Sequence, residues 1–293
     1  MIREKLASLV FALAASAGAL PVYAESGWNQ LNMTEGVTHI SREIYALHMR
    51  IFWICVAIGV VVFGAMIWSI ITHRKSRGAV PDVTLVHNTK VEFIWTIVPV
   101  VILVVMAVPA AKTLIEIEDT TKTELTVKVT GFQWGWEYDY LDDGVLYYSR
   151  LDHQSDAARE LASGIDPNTV PHYLLNVDHA FVVPVDTKVR LLVTGADVIH
   201  SWWVPAFGVK KDAIPGFVNE AWFKIDKDRP GLYRGQCAEL CGRDHGFMPI
   251  VVDARSKEDF AAWLKQKAAE QKQAAAPAAP PGVAAAASGA GSS

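Results

Sequence analysis

The sequence predicts a membrane-anchored all-β protein, in which a two-helix transmembrane hairpin precedes a Greek-key β-barrel or sandwich. Three observations carry that prediction: two long uncharged apolar runs, a series of short alternating segments punctuated by Pro, Gly and Asp, and no helical periodicity interleaved between those segments. Hydrophobic residues make up 51% of the 293-residue chain, and the excess sits in the two runs and an Ala-rich tail. The remainder is long enough to bury one substantial core.

Residues 1–24 open with Arg3 and Lys5, continue through an apolar stretch from Leu6 to Leu20 and close on Val22, Tyr23 and Ala24. A charged start, a short apolar centre and a small residue at the cut predict an export signal cleaved after Ala24. The alternative, a further membrane anchor, needs a longer apolar stretch. Within residues 25–111, the runs 51–71 and 93–111 carry no charge. Each can cross a hydrocarbon layer of about 30 Å as a helix, in contact with lipid. Between them, His73, Arg74, Lys75, Ser76 and Arg77 form a basic cluster that assigns the connecting loop to the cytoplasm and residues from Lys112 onward to the periplasm. With an export signal, the expected location is the bacterial inner membrane. Trp53, Trp68 and Trp95 fall near the span ends, and Pro99 and Pro109 require a neighbouring helix to cover the carbonyls they free. Glu92 stands at the cytoplasmic mouth of the second span, where a carboxylate fits a proton-entry group and equally a snorkelling end-of-helix charge.

Residues 112–267 are expected to form the periplasmic domain. Strand patterns cover 123–130, 174–177, 181–183, 188–194, 220–225, 231–234 and 248–252, with Leu125, Val127 and Val129 typical of a half-buried strand. Such a series fits a cupredoxin-like fold. Residues 148–171 are polar and weakly periodic, and are expected to form a surface insertion with one short helix. Ser256 begins a short amphipathic helix carrying Phe260, Trp263 and Leu264, and the Ala/Pro-rich stretch 268–293 is expected to be a disordered tail. Over 112–267 there are 24 Asp and Glu against 18 Lys and Arg, a balance of −6 that disfavours nucleic acid and suits a basic protein partner.

Three cysteines cannot form a disulfide scaffold. Cys55 lies in an apolar run and reads as packing. Cys237, Cys241, His245 and Met248 instead crowd into twelve residues, and His200 follows a predicted strand from which a second imidazole can arrive. Cys, His and a weak Met form the ligand set of a cupredoxin copper, but one copper needs only one of these cysteines. Two thiolates can bridge two coppers, each capped by one His, with Met248 and a main-chain carbonyl as weak axial ligands. Zinc on the same thiols and imidazoles, or a Cys237–Cys241 disulfide, compete with that reading; neither accounts for the Met.

With the loop Cys-x3-Cys-x3-His-x2-Met, the chain resembles the cytochrome c oxidase subunit II family. The resemblance runs from about Ile44 to Val252 and includes Val91 to Pro99, Gly131 to Trp136 and Asp212 to Gly216. It implies a copper A centre held by His200, Cys237, the main-chain oxygen of Glu239, Cys241, His245 and Met248. It also implies that the Glu239 side chain binds Mg or Mn at the contact with the catalytic subunit, that Trp134 is the electron entry, and that Glu92 serves proton uptake. Asp139, Asp178 and Asp197 map onto the family's docking surface for cytochrome c, with Glu137, Asp142 and Asp143 less secure. The expected partners are catalytic subunit I, which holds the haem, and other oxidase subunits. The sequence departs from the family at Gly135, where relatives often carry Tyr, and in the length of the insertion. It contains no Cys-x-x-Cys-His haem motif. The expected function is passage of electrons from cytochrome c to haem for reduction of O2 coupled to proton translocation. The rivals are a copper A protein of the nitrous oxide reductase type, argued against by the hairpin, and a copper-free quinol oxidase homologue, argued against by the complete ligand set.

Overall fold

The computed structural model describes residues 32–80, 84 and 87–275. The expected export signal, 1–24, and residues 276–293 of the expected tail lie outside the described residues. The chain divides after Thr34 into two units, and everything below concerns the second, Glu35–Ser293.

Helix α1 (His39–Thr72) begins at a reciprocal cap: Thr38 Oγ1 accepts from the Ser41 amide at 3.0 Å, and Ser41 Oγ accepts from the Thr38 amide at 3.0 Å. Helix α2 (Thr89–Ile117) begins at Asn88, whose side-chain oxygen accepts from the amides of Lys90 at 3.1 Å and Val91 at 3.2 Å. At 1.5 Å per residue the helices are about 51 Å and 43 Å long, so both outrun the hydrocarbon layer. Most of the excess is at the domain end: α1 starts twelve residues before its uncharged run and α2 continues six beyond.

Those extra turns hold the β domain. Arg42 pairs with Asp226, Thr38 Oγ1 donates to the Phe207 carbonyl at 2.9 Å, and Thr38 bridges Ile225 as an isolated β-pair. From α2, the Glu116 carbonyl accepts from Trp222 Nε1 at 3.2 Å and Glu118 pairs with Lys211 at 3.2 Å. His39 and Glu116 join the two helices at 3.2 Å. Along the spans themselves most apolar side chains are exposed, as surfaces that meet lipid or another subunit require.

Among the described residues, ten strands form two five-stranded sheets. One has the order β3 (Val145–Ser149), β2 (Gly135–Tyr140), β1 (Leu125–Phe132), β5 (Val189–Gly195), β8 (Asn219–Phe223). The other runs β4 (Phe181–Pro184), β10 (Pro249–Arg255), β9 (Gly231–Cys237), β6 (His200–Val204), β7 (Val209–Ala213). The pairs β1–β5 and β4–β10 are parallel, the mixed arrangement of a cupredoxin-like sandwich. Val127 faces Leu191 and Val129 faces Val193 in register, all four buried. Aromatic rings fill the interior, with Tyr138 stacked on Phe181 at 4.4 Å and Phe207 on Phe223 at 4.7 Å.

Several expectations need correction. Residues 174–177 form no strand; Val177 makes only an isolated bridge to Leu151, because His172 and Leu174 take positive φ and break the extended run. Strands β2, β3, β6 and β7 are not among the expected ones, although β2 does alternate, with Trp136, Tyr138 and Tyr140 buried and Glu137 and Asp139 between them. In β6, His200, Ser201, Trp202 and Val204 are all buried, which erases the polar face. Tyr148 belongs to β3, so the irregular insertion starts at Arg150; it holds helix α3 (His153–Arg159) and one 3₁₀ turn (Pro167–Thr169).

The stretch 268–275, expected in the tail, is helical: α4 (Lys257–Ala275) runs to the last described residue. Ala, Gln, Glu and Lys favour helix, and Gln271 bonds main-chain atoms of Leu146. Trp263 anchors α4 on the sandwich, 5.5 Å from Tyr140 and 6.1 Å from Tyr147 between ring centroids. Trp263→Ala is expected to lower domain stability by about 2 kcal/mol, less than a fully buried Trp because its ring is only partly covered. Thermal unfolding of the purified protein followed by tyrosine fluorescence checks this; an unshifted midpoint would show that α4 is not held through that ring.

Candidate metal centre

The last residue of β9, Cys237, and the first of β10, Pro249, bracket a loop closed at its base. The Cys237 amide donates to the Met248 carbonyl at 3.0 Å, and Gln236 pairs with Pro249 in register. Strand β6 lies against β9, with Trp202 opposite Cys237, and this brings His200 to the loop.

The cluster is compact. Ligand atoms of His200, Cys237 and Cys241 all lie within 4.8 Å of one another, and all three residues are buried. The sulfurs of Cys237 and Cys241 are 3.8 Å apart, far beyond the ~2.05 Å of a disulfide. One metal ion at a metal–sulfur distance of about 2.3 Å can touch both. An imidazole stands at each end: His200 Nδ1 is 4.0 Å from the Cys237 sulfur and His245 Nδ1 is 3.6 Å from that of Cys241. Met248, 1% exposed, places its thioether sulfur 4.0 Å from the Cys241 sulfur, and the Glu239 carbonyl is 3.3 Å from that of Cys237. Soft sulfur donors with imidazoles suit copper, so the donor set fits the metal the loop suggested.

Asp197, expected at a docking surface, has a second position in the site. Its Oδ1 lies 2.9 Å from His200 Nε2 and its Oδ2 accepts from the Gln133 amide at 2.7 Å. A carboxylate on Nε2 leaves Nδ1 free for a metal and fixes the ring plane. Burial raises the Asp197 carboxyl, but the His200 bond and the amides of Val198 and Gln133 outweigh it and hold the group below the ordinary carboxylate value. The glycine at 131 makes room: a Cβ there would lie 2.9 Å from the His200 ring. Gly135, where the Tyr of relatives is missing, has no space either, since a Cβ would sit 2.7 Å from Phe132 and 2.8 Å from the Ser149 carbonyl.

The indole of Trp134 is partly exposed, and its Nε1 donates to the Cys241 carbonyl at 3.2 Å. Gln133 Nε2 donates to the same oxygen at 2.9 Å, a residue the sequence did not single out. The Glu239 side chain points outward and is exposed. Asp178 accepts from the amides of Arg150 and His179, both at 2.7 Å, and ties the insertion's ends. Asp139 of β2 lies opposite Lys128 of β1. Glu92 is in the first turn of α2, at the end away from the β domain, where it accepts from the Asn88 amide at 3.2 Å.

Burial disfavours charge on both thiols. At Cys237, hydrogen bonding with His200 and the main chain at Ser201 overcomes it and brings the group down to about 7; Cys241 is pushed up by burial and by the Cys237 charge.

A membrane-anchored cupredoxin-like domain whose buried Cys237, Cys241, His200 and Met248, with half-buried His245 beside them, form one cluster able to hold copper defines the class: a two-helix subunit with a candidate copper site. The model of the cytochrome c oxidase subunit II periplasmic domain matches residues 125–255, and that of the subunit II transmembrane domain matches 26–113. The probable cytochrome c oxidase subunit 2 of Rickettsia conorii is 40% identical over 240 residues, covering 81% of this chain and 72% of that protein. Cytochrome c oxidase subunit 2 of Cereibacter sphaeroides is 37% identical, covering 78% and 77%. The solved periplasmic domain of subunit II of cytochrome oxidase (CoxB) of Bradyrhizobium japonicum is 42% identical over 51% of this chain and 96% of that one, with a TM-score of 0.43. The chain belongs to the cytochrome c oxidase subunit II family.

Metal uptake must expel the protons that the thiols hold. The Cys241 proton has to leave across this whole range, so the apparent copper affinity of metal-free protein should fall by at least about tenfold per unit of decreasing pH; towards pH 6 Cys237 takes up a proton too, as does His200, which burial lowers but its bonds to Cys237 and Asp197 raise above the ordinary imidazole value, and the fall steepens. Competition titrations against a copper chelator across pH 6 to 8 read the slope directly, and a flat profile would contradict the assigned thiol protonation.

Proposed function

We propose that this chain takes electrons from cytochrome c and delivers them to haem in the catalytic subunit of a haem-copper oxidase. His200, Cys237, Cys241, His245, Met248 and the main-chain oxygen of Glu239 would hold a dinuclear copper centre. Copper bound there would supply a one-electron site, and sharing of the unpaired electron between the two thiolate-held halves would keep the reorganisation that accompanies transfer small. The single observation that carries the electron-entry assignment is the Trp134 contact: a partly exposed indole one hydrogen bond from the Cys241 main chain connects the surface to a buried thiol.

The chain's own residues do the remaining work. Asp197 orients the His200 ring, and the insulated setting of the cluster keeps water from the sulfurs. Asp139, Asp178 and Asp197 would attract a basic donor through long-range charge. The exposed Glu239 carboxylate would hold Mg or Mn shared with the catalytic subunit. Glu92 would feed protons into that subunit, while its bond to the Asn88 amide also serves the helix cap. Reduction of O2 to water, coupled to proton translocation, would belong to the partner chain. The apolar spans would pack against it and lipid in the bacterial inner membrane, with the 73–77 cluster inside and the β domain in the periplasm. The proposed organisation is an export signal over 1–24, the hairpin to Ile117, the sandwich with α4 to Ala275, and a tail beyond.

Trp134→Phe keeps an aromatic ring and removes the Nε1 donor. Reduction of the assembled oxidase by cytochrome c in stopped flow should slow about tenfold, equivalent to ~1.4 kcal/mol of barrier, while the copper spectrum stays as it was. Unchanged donor oxidation would remove Trp134 from the route. Glu92→Gln should leave that reduction rate intact and slow steady-state O2 consumption; equal turnover in both proteins would reduce Glu92 to a capping residue.

A further inference from the structure

The insertion that the functional reading leaves without a task is built onto the metal loop. Its ends are tied: the Asp178 amide donates to the Arg150 carbonyl at 3.0 Å, and the Asp152 amide donates to that of Asn176 at 3.2 Å. The buried hydroxyl of Ser155 accepts from the Leu174 amide at 3.1 Å, and Arg234 of β9 reaches the Asn176 side chain at 3.1 Å. This fixed segment carries α3, and the last residue of α3 is Arg159.

Arg159 grips the turn between His245 and Met248 from two sides. Its guanidinium carbon is 4.6 Å from the centroid of Phe247, the residue before Met248. One terminal nitrogen is 3.6 Å from a carboxylate oxygen of Asp244, the residue before His245, while Nε holds Asp156 at 2.8 Å. The Asp244 side chain is only 12% exposed and that of Arg159 23%, so the pair is screened less than a surface ion pair. The turn itself has few internal bonds, chiefly the Phe247 amide to the Asp244 carbonyl at 2.9 Å.

We propose that Arg159 is a positioning residue for the metal centre: the insertion acts as a clamp that fixes the His245–Met248 turn, and with it the balance of donors at the Cys241 end of the cluster. The inference rests on the copper reading. A planar guanidinium suits the role because it can face a ring and a carboxylate at once, which an ammonium on a flexible stem does not. Without it the turn gains freedom, the Met248 sulfur and His245 nitrogen lose their fixed distances, and the two halves of the centre cease to be equivalent.

The test uses the assembled oxidase with Arg159→Gln, and Arg150→Gln as a control that removes a cation from the same insertion, where it lies over Phe132 and Tyr148. Electron paramagnetic resonance should show an evenly split copper hyperfine pattern in the parent and in Arg150→Gln, and an uneven one with a shifted reduction potential in Arg159→Gln. Amide exchange in the peptide containing Phe247 should rise about tenfold, the factor expected for loss of one partly buried charged contact. A parental pattern, potential and exchange rate in Arg159→Gln at equal copper content would overturn the clamp. If Arg159→Gln fails to assemble, Phe247→Leu removes the ring and must give the same uneven pattern; a parental one overturns the proposal equally. If the parent itself lacks the electron-sharing signature, the copper reading fails, and the exchange rate of the Phe247 peptide alone decides the clamp.

Discussion

The pairing of β9 with β10 is the constraint on which the site depends. Because the Cys237 amide bonds to the Met248 carbonyl, the eleven peptide links between them must close on themselves at the edge of a rigid sheet. Two cysteines four positions apart in a closed loop are thereby held at 3.8 Å without a bond between them. In an open chain that separation would cost the loop's conformational entropy each time a metal arrived. Here folding of the sandwich has already ordered the loop, and donor atoms from β6 and from the loop meet with little left to arrange.

A comparison of magnitudes separates the groups that shape the site from those that decorate the surface. The Lys224–Asp186 pair is about half exposed on both partners, and such pairs contribute at most ~1 kcal/mol. The Asp197–His200 bond involves a fully buried imidazole, where an unpaired ring nitrogen would cost about 1–3 kcal/mol. Arg42–Asp226 falls between these, yet it lies beside the Thr38 cap and the Thr38–Ile225 bridge, so that the first turns of α1 join the domain through several contacts at once. The spans and the metal loop therefore belong to one mechanical body, which suits electron delivery to a partner buried in the membrane.

Much of this was legible in the sequence because the physics was local. Uncharged runs of about twenty residues, alternation at Leu125, Val127 and Val129, and the spacing of Cys237, Cys241, His245 and Met248 each declare themselves within a short window. What was not legible depends on contacts distant in sequence. Strand β6 is buried on both faces, Trp202 against Phe181 and Phe223 and His200 against Trp136 and Cys237, so it has no period to detect. The outer turns of α1 and α2 continue past their apolar runs because Asp226, Trp222 and Lys211 receive them, and none of those residues marks a helix end. Gly131 looks like any strand glycine until the His200 ring is seen to occupy the place of its side chain. Asp197 is the instructive intermediate: its i, i+3 spacing from His200 was visible, and attention to it would have found the ring's partner.

The double position of Asp197 bears on how the chain can meet a donor. A carboxylate that accepts from an imidazole and from two main-chain amides has few lone pairs left for another protein's lysine, and its charge is partly neutralised by those donors. Asp178 is similarly committed to two amides, and Asp139 faces Lys128 across the sheet. Direct, geometrically fixed ion pairs with these three are therefore a poor basis for docking. Their remaining influence is the long-range field of an acidic domain, which speeds encounter and weakens with salt without fixing a pose. On the proposed reading, orientation would then come from short-range contact at the partly exposed indole of Trp134. Encounter by charge and alignment by short-range contact are separable, and on the proposed reading this division would let a donor arrive quickly and leave again after each electron.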